Sequence, residues 1–182
     1  MKRYADDYEI QVVKDEKGRD KKVAVYRGNF FEVNLDEKQL ILLRKRSILL
    51  FLIVVALQIA GGFVANRGMY AFYVALPYVF AFLPLYYLGT GIFRMPTRKR
   101  KYHREEVGLS FERAKKANRF LLIILGVGVI GEIIYLIFFS QDGRSLEWLF
   151  LGSLLLTAGF SYCLYRLLKS IQVTECDEAA NA

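Results

Sequence analysis

Four long blocks of apolar residues divide the chain, and each is long enough to cross a bilayer. The blocks span residues 47–65, 70–93, 119–139 and 146–165. A helix rises about 1.5 Å per residue, so roughly 20 residues match a hydrocarbon core of about 30 Å. We therefore predict an all-α integral membrane protein with a four-transmembrane-helix bundle over residues 47–169. A three-span alternative would make the second block re-entrant at Pro77 and Pro84, but membrane helices tolerate proline.

The first 46 residues show a different pattern. Residues 8–13 and 21–28 alternate apolar and polar side chains and are rich in β-branched residues. The connection between them is charged and contains a glycine, as a hairpin loop does. A third short run, residues 29–35, can add another strand. The pattern therefore predicts a small β-hairpin or a three-stranded meander in the N-terminal region 1–46.

Helical signals also occur in the polar segments. Asn34 followed by Glu37 resembles a capping box, so we expect an amphipathic helix that continues directly into the first membrane helix. In the polar loop 94–118 we expect a helix to begin at Ser110 and to enter the third apolar block without a break. Residues 170–182 are expected to form a disordered cytosolic tail.

The distribution of Lys and Arg sets the orientation. Of the 26 Lys and Arg residues, all but Arg67 and Arg144 lie before the first block, between the second and third, or at the end of the fourth. The positive-inside rule therefore places both termini and the long loop in the cytosol. The net charge of +8 follows from this topology, so we expect no nucleic-acid partner. The heavy use of Lys and Arg and the small size favour a bacterial plasma membrane.

Glu132 is a carboxylate inside the third apolar block, where a charged group costs about 2.5–3.5 kcal/mol. By residue count, polar side chains of the other blocks lie at a similar depth. This predicts a buried intramembrane polar layer of Glu132, Gln58, Tyr78, Ser153 and Thr157. We expect Glu132 to be neutral at pH 7 and to donate to Gln58 or to a hydroxyl on the fourth helix. It is interpreted as a packing device, a proton or cation relay, or a contact to a partner's span.

The polar loop contains a basic run that is predicted to contact anionic lipid headgroups. Its residues are Arg98, Lys99, Arg100, Lys101 and Arg104. Each basic residue near the surface contributes about 1 kcal/mol, and the alternative is that the run is a plain topology determinant. The only histidine, His103, is expected to be a solvated loop residue, because a zinc site needs further His or Cys ligands. No metal or other cofactor is predicted.

The sequence contains no nucleophile elbow, phosphate-binding glycine loop or metal-ligand spacing, so we expect no enzyme. The first hypothesis is a non-enzymatic multi-pass membrane protein, an accessory or regulatory subunit of a membrane complex. The alternative is a small proton- or cation-coupled transporter or ion pathway that uses Glu132 in a homo-oligomer. The expected partners are the lipid bilayer, with anionic headgroups on the cytosolic side, and a membrane protein or a second copy of this chain. The first 46 residues lack an apolar core for a cleavable signal peptide.

Overall fold

The computed structural model describes residues 7–14, 20–139 and 144–176. Its helical segments are α1 Glu37–Gly62, a 3₁₀ turn Arg67–Tyr70, α2 Phe72–Phe80, α3 Phe82–Phe93, α4 Arg104–Val107, a π-helical turn Gly108–Glu112, α5 Arg113–Phe138 and α6 Arg144–Lys169. Its strands are β1 Tyr8–Lys14, β2 Asp20–Tyr26, β3 Phe30–Val33, β4 Tyr102–His103 and β5 Val173–Cys176. The protein is therefore mostly helical, with a small strand region.

Three helices are long and apolar enough to cross a membrane, where the hydropathy pattern predicts four. They comprise Phe72–Phe93, Arg104–Phe138 and Ser145–Lys169. The predicted block 47–65 lies mostly in α1, which begins before it at Glu37 and ends at Gly62. The helices extend beyond the apolar blocks because polar residues at their ends also have good helix propensity.

Four long helical segments pack side by side. α1 contacts α3 and α6, and α5 contacts α2, α3 and α6, so each segment touches two neighbours. Leu121 and Leu125 of α5 face the core, whereas Ile123 and Ile130 are 63% and 60% exposed. A helix with an apolar exposed face as well as an apolar buried face is suited to a lipid environment, since lipid covers the outer face.

The apolar segment Phe72–Phe93 is interrupted at Ala81, between α2 and α3. Within α2, Pro77 lacks the N–H that would bond to the carbonyl of Tyr73. This carbonyl lies against α5, where a Cβ atom at Gly131 would be only 2.8 Å from the Tyr73 oxygen. The proline of one helix and the glycine of the other therefore meet in a single close approach of two backbones.

The predicted hairpin is present, but the third strand does not join it. β1 and β2 pair antiparallel, with Tyr8 opposite Tyr26 and Ile10 opposite Ala24. β3 instead lies between β4 and β5 in a second sheet. The prediction of a three-stranded meander is therefore wrong. Both partners of β3 are distant in the chain, and an alternation of apolar residues within one segment cannot reveal such pairing.

The second sheet also orders part of the predicted disordered tail. β5 pairs with β3 from Val33 opposite Val173 to Phe30 opposite Cys176. Beyond this pairing, the Asn34 N–H donates to the Gln172 carbonyl (3.2 Å), and the Gln172 N–H donates to Asn34 Oδ1 (3.0 Å). Hydrogen bonds to β3 thus hold the start of the tail. Residues 177–182 lie outside the described residues.

Two helices begin at residues other than those predicted. α1 starts after Asp36, which forms the capping box with Gln39, while Asn34 extends the second sheet. In the polar loop, the helix begins at Arg104 rather than at Ser110 and continues through the π-helical turn into α5. Much of the predicted loop is therefore helical. The expected uninterrupted entry into the third apolar block is observed.

Candidate functional site

The residues of the predicted polar layer fall into separate groups. Gln58 of α1 and Tyr78 of α2 bond to each other's backbone. Gln58 Nε2 donates to the Tyr78 carbonyl at 3.1 Å, and the Tyr78 hydroxyl donates to the Gln58 carbonyl. Gly62 makes room for this exchange, because a Cβ atom there would lie 2.7 Å from the tyrosine oxygen. These two residues thus hold α1 against α2.

Glu132 belongs to a different group, with the connection between α1 and α2. Its side chain is fully buried, and Asn66 Nδ2 donates to Glu132 Oε1 at 3.1 Å. The Gly68 N–H donates to Asn66 Oδ1 at 2.7 Å, which fixes the orientation of the amide. A Cβ atom at Gly68 would be 2.6 Å from Glu132 Oε2. The partner of Glu132 is therefore Asn66, and not Gln58 or a hydroxyl of α6 as expected.

Ser153 and Thr157 use their hydroxyl groups inside α6. Ser153 Oγ donates to the Phe150 carbonyl, and Thr157 Oγ1 donates to the Ser153 carbonyl, both at 2.7 Å. Ser153 faces α1, since a Cβ atom at Gly61 would be 3.0 Å from its Oγ. These hydroxyls therefore let two helices approach closely while their hydrogen bonds stay within one helix.

A second buried carboxylate lies near Glu132. Glu147, in the first turn of α6, is only 2% exposed. Glu132 Oε2 and Glu147 Oε2 are both buried without a hydrogen-bond partner in the described part of the chain. We call Glu132, Asn66 and Glu147 the carboxylate site. Sequence reasoning missed Glu147 because an acidic residue at the edge of an apolar block is ordinarily exposed.

A different polar pair holds α5 to α6 near the other end of α5. Asn118 Nδ2 donates to the Ser161 carbonyl (3.0 Å), and Ser161 Oγ donates to Asn118 Oδ1 (2.7 Å). Both residues are fully buried. The spacing of Asn118 to Leu121 and Leu125 places all three on one helical face, which was the available sequence signal. The prediction missed it because Asn118 was assigned to a polar loop.

No known protein family, curated protein or solved structure matches this chain. Its function is therefore argued from its own residues. Across residues 7–14, 20–139 and 144–176, no three His, Cys, Asp or Glu side chains lie close enough together to hold a metal ion. Among the described residues, the groups available for a function are hydrogen-bonding side chains, carboxylates and basic side chains.

Three of the five basic residues predicted to contact lipid headgroups form ion pairs within the chain. These pairs are Lys99–Asp36 at 3.8 Å, Arg100–Glu106 at 2.5 Å and Arg104–Asp7 at 3.6 Å. Arg98 and Lys101 are exposed. The pairs hold the basic run against the N-terminal region and α4, and they reduce the positive charge that a lipid surface would meet.

An aromatic cluster attaches the hairpin to the second sheet. We define the cluster as Tyr8, Tyr26, Phe30 and His103. The His103 and Tyr26 rings stack with their centroids 4.1 Å apart, and Phe30 meets both rings edge-on. The Arg104 N–H donates to the Tyr26 hydroxyl at 3.1 Å. His103 is therefore a packed residue of β4, and the expectation of a solvated loop residue is wrong.

Beyond the aromatic cluster, one face of the hairpin is apolar and exposed. Every second side chain of β1 lies on this face, namely Tyr8, Ile10 and Val12. Ile10 is 69% exposed and Val12 is 60% exposed. In the described chain, β1 and β2 pair only with each other, so both outer edges present free backbone groups. We call this face and its edges the hairpin surface. Such a surface is suited to accept the strand or the apolar side chains of a partner.

Proposed function

We propose that this chain is a four-span membrane protein that acts as a non-enzymatic accessory or regulatory subunit of a membrane complex. The observation that carries the proposal is the hairpin surface, with Ile10 and Val12 exposed on a polar part of the protein. Covering apolar area contributes about 25 cal/mol per Å², so a partner gains affinity from these residues. The aromatic cluster holds the hairpin to the bundle, which couples a bound partner to the membrane helices.

The second sheet supports the four-span topology. Strands that hydrogen-bond to one another lie on the same side of a membrane, so β3, β4 and β5 share one side. If Phe72–Phe93 crosses once between β3 and β4, a second crossing is required there, and α1 is the available helix. α5 and α6 supply the two crossings between β4 and β5. The Lys and Arg distribution then favours N-in/C-in placement in a bacterial plasma membrane.

Two single substitutions on β1 test the subunit proposal. Ile10→Lys and Gln11→Lys add the same charge to opposite faces of one strand. We expect the native chain and Gln11→Lys to purify in mild detergent with one stoichiometric membrane-protein companion. Ile10→Lys should lose the companion, while its helical circular dichroism stays unchanged. A native chain that purifies alone as a monomer, or a companion retained by Ile10→Lys, contradicts the proposal.

The same face tests the topology. In a Cys163→Ser, Cys176→Ser background, a cysteine at Val12 should react with a membrane-impermeant maleimide only after the cells are permeabilised. Labelling of intact cells would place the hairpin outside the cytosol and reverse the proposed orientation.

A second candidate function is a proton- or cation-coupled transporter or ion pathway formed by a homo-oligomer. The carboxylate site favours it, because Glu132 and Glu147 are both buried and each has an oxygen without a described partner. An ionised carboxylate is costly in a low-dielectric interior, so each buried acid gains from binding a proton or a cation. Native mass separates the candidates, since a homo-oligomer favours the pathway and a hetero-complex favours the subunit.

A further inference from the structure

A groove lies between α3 and α5, apart from the carboxylate site and the hairpin surface. It encloses about 800 Å³, which lies within the range of pockets that bind small molecules. Leu83, Tyr87 and Phe120 form its apolar wall, and Arg94 and Arg113 lie at its mouth. The groove is therefore amphiphilic, with a polar end and an apolar end.

Close packing beside the groove fixes its shape. α3 meets α5 at Gly91, where a Cβ atom would be only 2.8 Å from the backbone nitrogen of Ala114. The π-helical turn, which holds one residue more per turn than the α-helix, lies at the same level and contributes Gly108 and Leu109 to the lining. The groove is thus bounded by backbone contacts rather than by flexible side chains alone.

The charges at the mouth leave two arginines available for a ligand. The two acidic residues of the lining are already engaged: Glu112 pairs with Lys116 at 3.0 Å, and Glu105 accepts a hydrogen bond from the Tyr8 hydroxyl at 3.4 Å. In the described part of the chain, Arg94 and Arg113 form no ion pair. The guanidinium groups present forked donors that match a phosphate group.

The apolar wall runs from the arginines toward the middle of the bundle. Tyr87 precedes Arg94 in α3, and Leu83 comes one turn earlier, so the wall extends about 10–16 Å along the helix axis. Phe120 lies about 10 Å beyond Arg113 on α5 by the same rise. Half of a bilayer's hydrocarbon core is about 15 Å thick. The wall therefore matches the part of one leaflet that an acyl chain occupies.

We propose that this groove binds one anionic phospholipid, with its phosphate between Arg94 and Arg113 and an acyl chain along Tyr87 and Phe120. The inference rests on the membrane placement of α3 and α5, and not on the subunit role, so each can fail without the other. It also separates lipid binding from the basic run Arg98–Arg104, three of whose residues form ion pairs with acidic residues of the chain.

A charge-matched pair of double variants tests the site. Arg94→Gln with Arg113→Gln removes the arginines of the groove, and Arg98→Gln with Lys101→Gln removes two exposed basic residues outside it. Short-chain phosphatidylglycerol, compared with phosphatidylcholine, is titrated into detergent-purified protein, and binding is followed by native mass spectrometry. We expect the groove variant to bind phosphatidylglycerol about tenfold more weakly or worse, and the control variant to bind it like the native chain.

Several results would overturn the proposal. Equal binding of phosphatidylglycerol and phosphatidylcholine excludes an anion-selective lipid site, and equal loss in both variants indicates surface attraction only. If millimolar inorganic phosphate displaces phosphatidylglycerol and the acyl chains contribute nothing to the affinity, the groove is a site for a free anion. Lipid contact is checked independently of the arginine variants with Tyr87→Trp in a Trp148→Phe background. Bromine-labelled phosphatidylglycerol should quench this tryptophan more than bromine-labelled phosphatidylcholine. Equal quenching by the two lipids also excludes the site.

Discussion

α5 makes two buried polar contacts, through Asn118 and through Glu132, and they differ in whether every buried polar atom has a hydrogen-bond partner. Near the start of the helix, Asn118 and Ser161 exchange hydrogen bonds, and the amide oxygen and amide nitrogen of Asn118 both have partners. Toward its end, Glu132 bonds to Asn66 through one oxygen only. A closed exchange stabilises a helix pair, whereas a buried oxygen without a partner costs stability.

This difference separates the structural part of the bundle from the part with chemical capacity. The Asn118–Ser161 contact joins two helices side chain to side chain and side chain to backbone. The carboxylate site joins a helix to a short connection and contains a second acid, Glu147. We therefore expect substitutions near Asn118 to change stability and substitutions of Glu132 to change function more than stability.

The largest effect is expected at Gly131, next to the carboxylate site. Gly131→Ala places a methyl group about 2.8 Å from the Tyr73 carbonyl, which is backbone and cannot rotate away. We expect a loss of about 2–3 kcal/mol in the free energy of unfolding, measured in detergent by circular dichroism. The matched control is Gly126→Ala on the same helix, because nothing lies within 4 Å of its added Cβ.

Gly126→Ala should be neutral or stabilising by up to about 1 kcal/mol, since alanine is the better helix former. Equal losses in the two variants would mean that α2 and α5 do not approach each other at Gly131.

An intermediate effect is expected from the Asn118–Ser161 contact. Asn118→Leu leaves the Ser161 hydroxyl without its acceptor and should destabilise the protein by about 1–2 kcal/mol. Combining it with Ser161→Ala removes both partners, so a double-mutant cycle should give a coupling energy of about 0.6–1.7 kcal/mol. Strictly additive losses would show that the two side chains do not depend on each other.

The smallest change in stability is expected from Glu132→Gln. The amide has nearly the volume of the carboxylic acid and can still accept from Asn66, so the loss should stay below about 1 kcal/mol. The same variant separates the functions when it is reconstituted in vesicles that report proton entry. If the native chain conducts protons and Glu132→Gln does not, the ion-pathway function is favoured. If the variant keeps the companion protein, the result agrees with the subunit function. A loss above 2 kcal/mol would make Glu132 a structural residue like Asn118.

The sequence predicted the features that depend on neighbouring residues. Three of the four apolar blocks correspond to helices that are long and apolar enough to cross a membrane, and alternation around residues 8–13 and 21–28 predicted the hairpin. The meeting of Tyr73 and Gly131 was not predicted.

The remaining features depend on which distant segments of the chain contact each other. The periodicity of apolar residues within a segment does not indicate these contacts. β3 pairs with strands from the polar loop and from the tail. The position of His103 beside Tyr26 follows from that assembly, and the partner of Glu132 follows from the packing of α5 against the connection between α1 and α2. Gln58 and Glu132 lie at a similar depth by residue count, but they are on separate helices and need not face each other. Depth does not fix the rotation of each helix about its axis.

The second sheet has a consequence for the synthesis of the protein. β3 is made well before its partner β5, because Val33 and Val173 pair across about 140 residues of chain. At about 5–20 residues per second, β3 waits roughly 7–28 s for β5. During this time its edge is open to chaperones or to other chains. Because β5 follows α6 directly in the chain, its pairing with β3 ties the end of α6 to the segment that precedes α1.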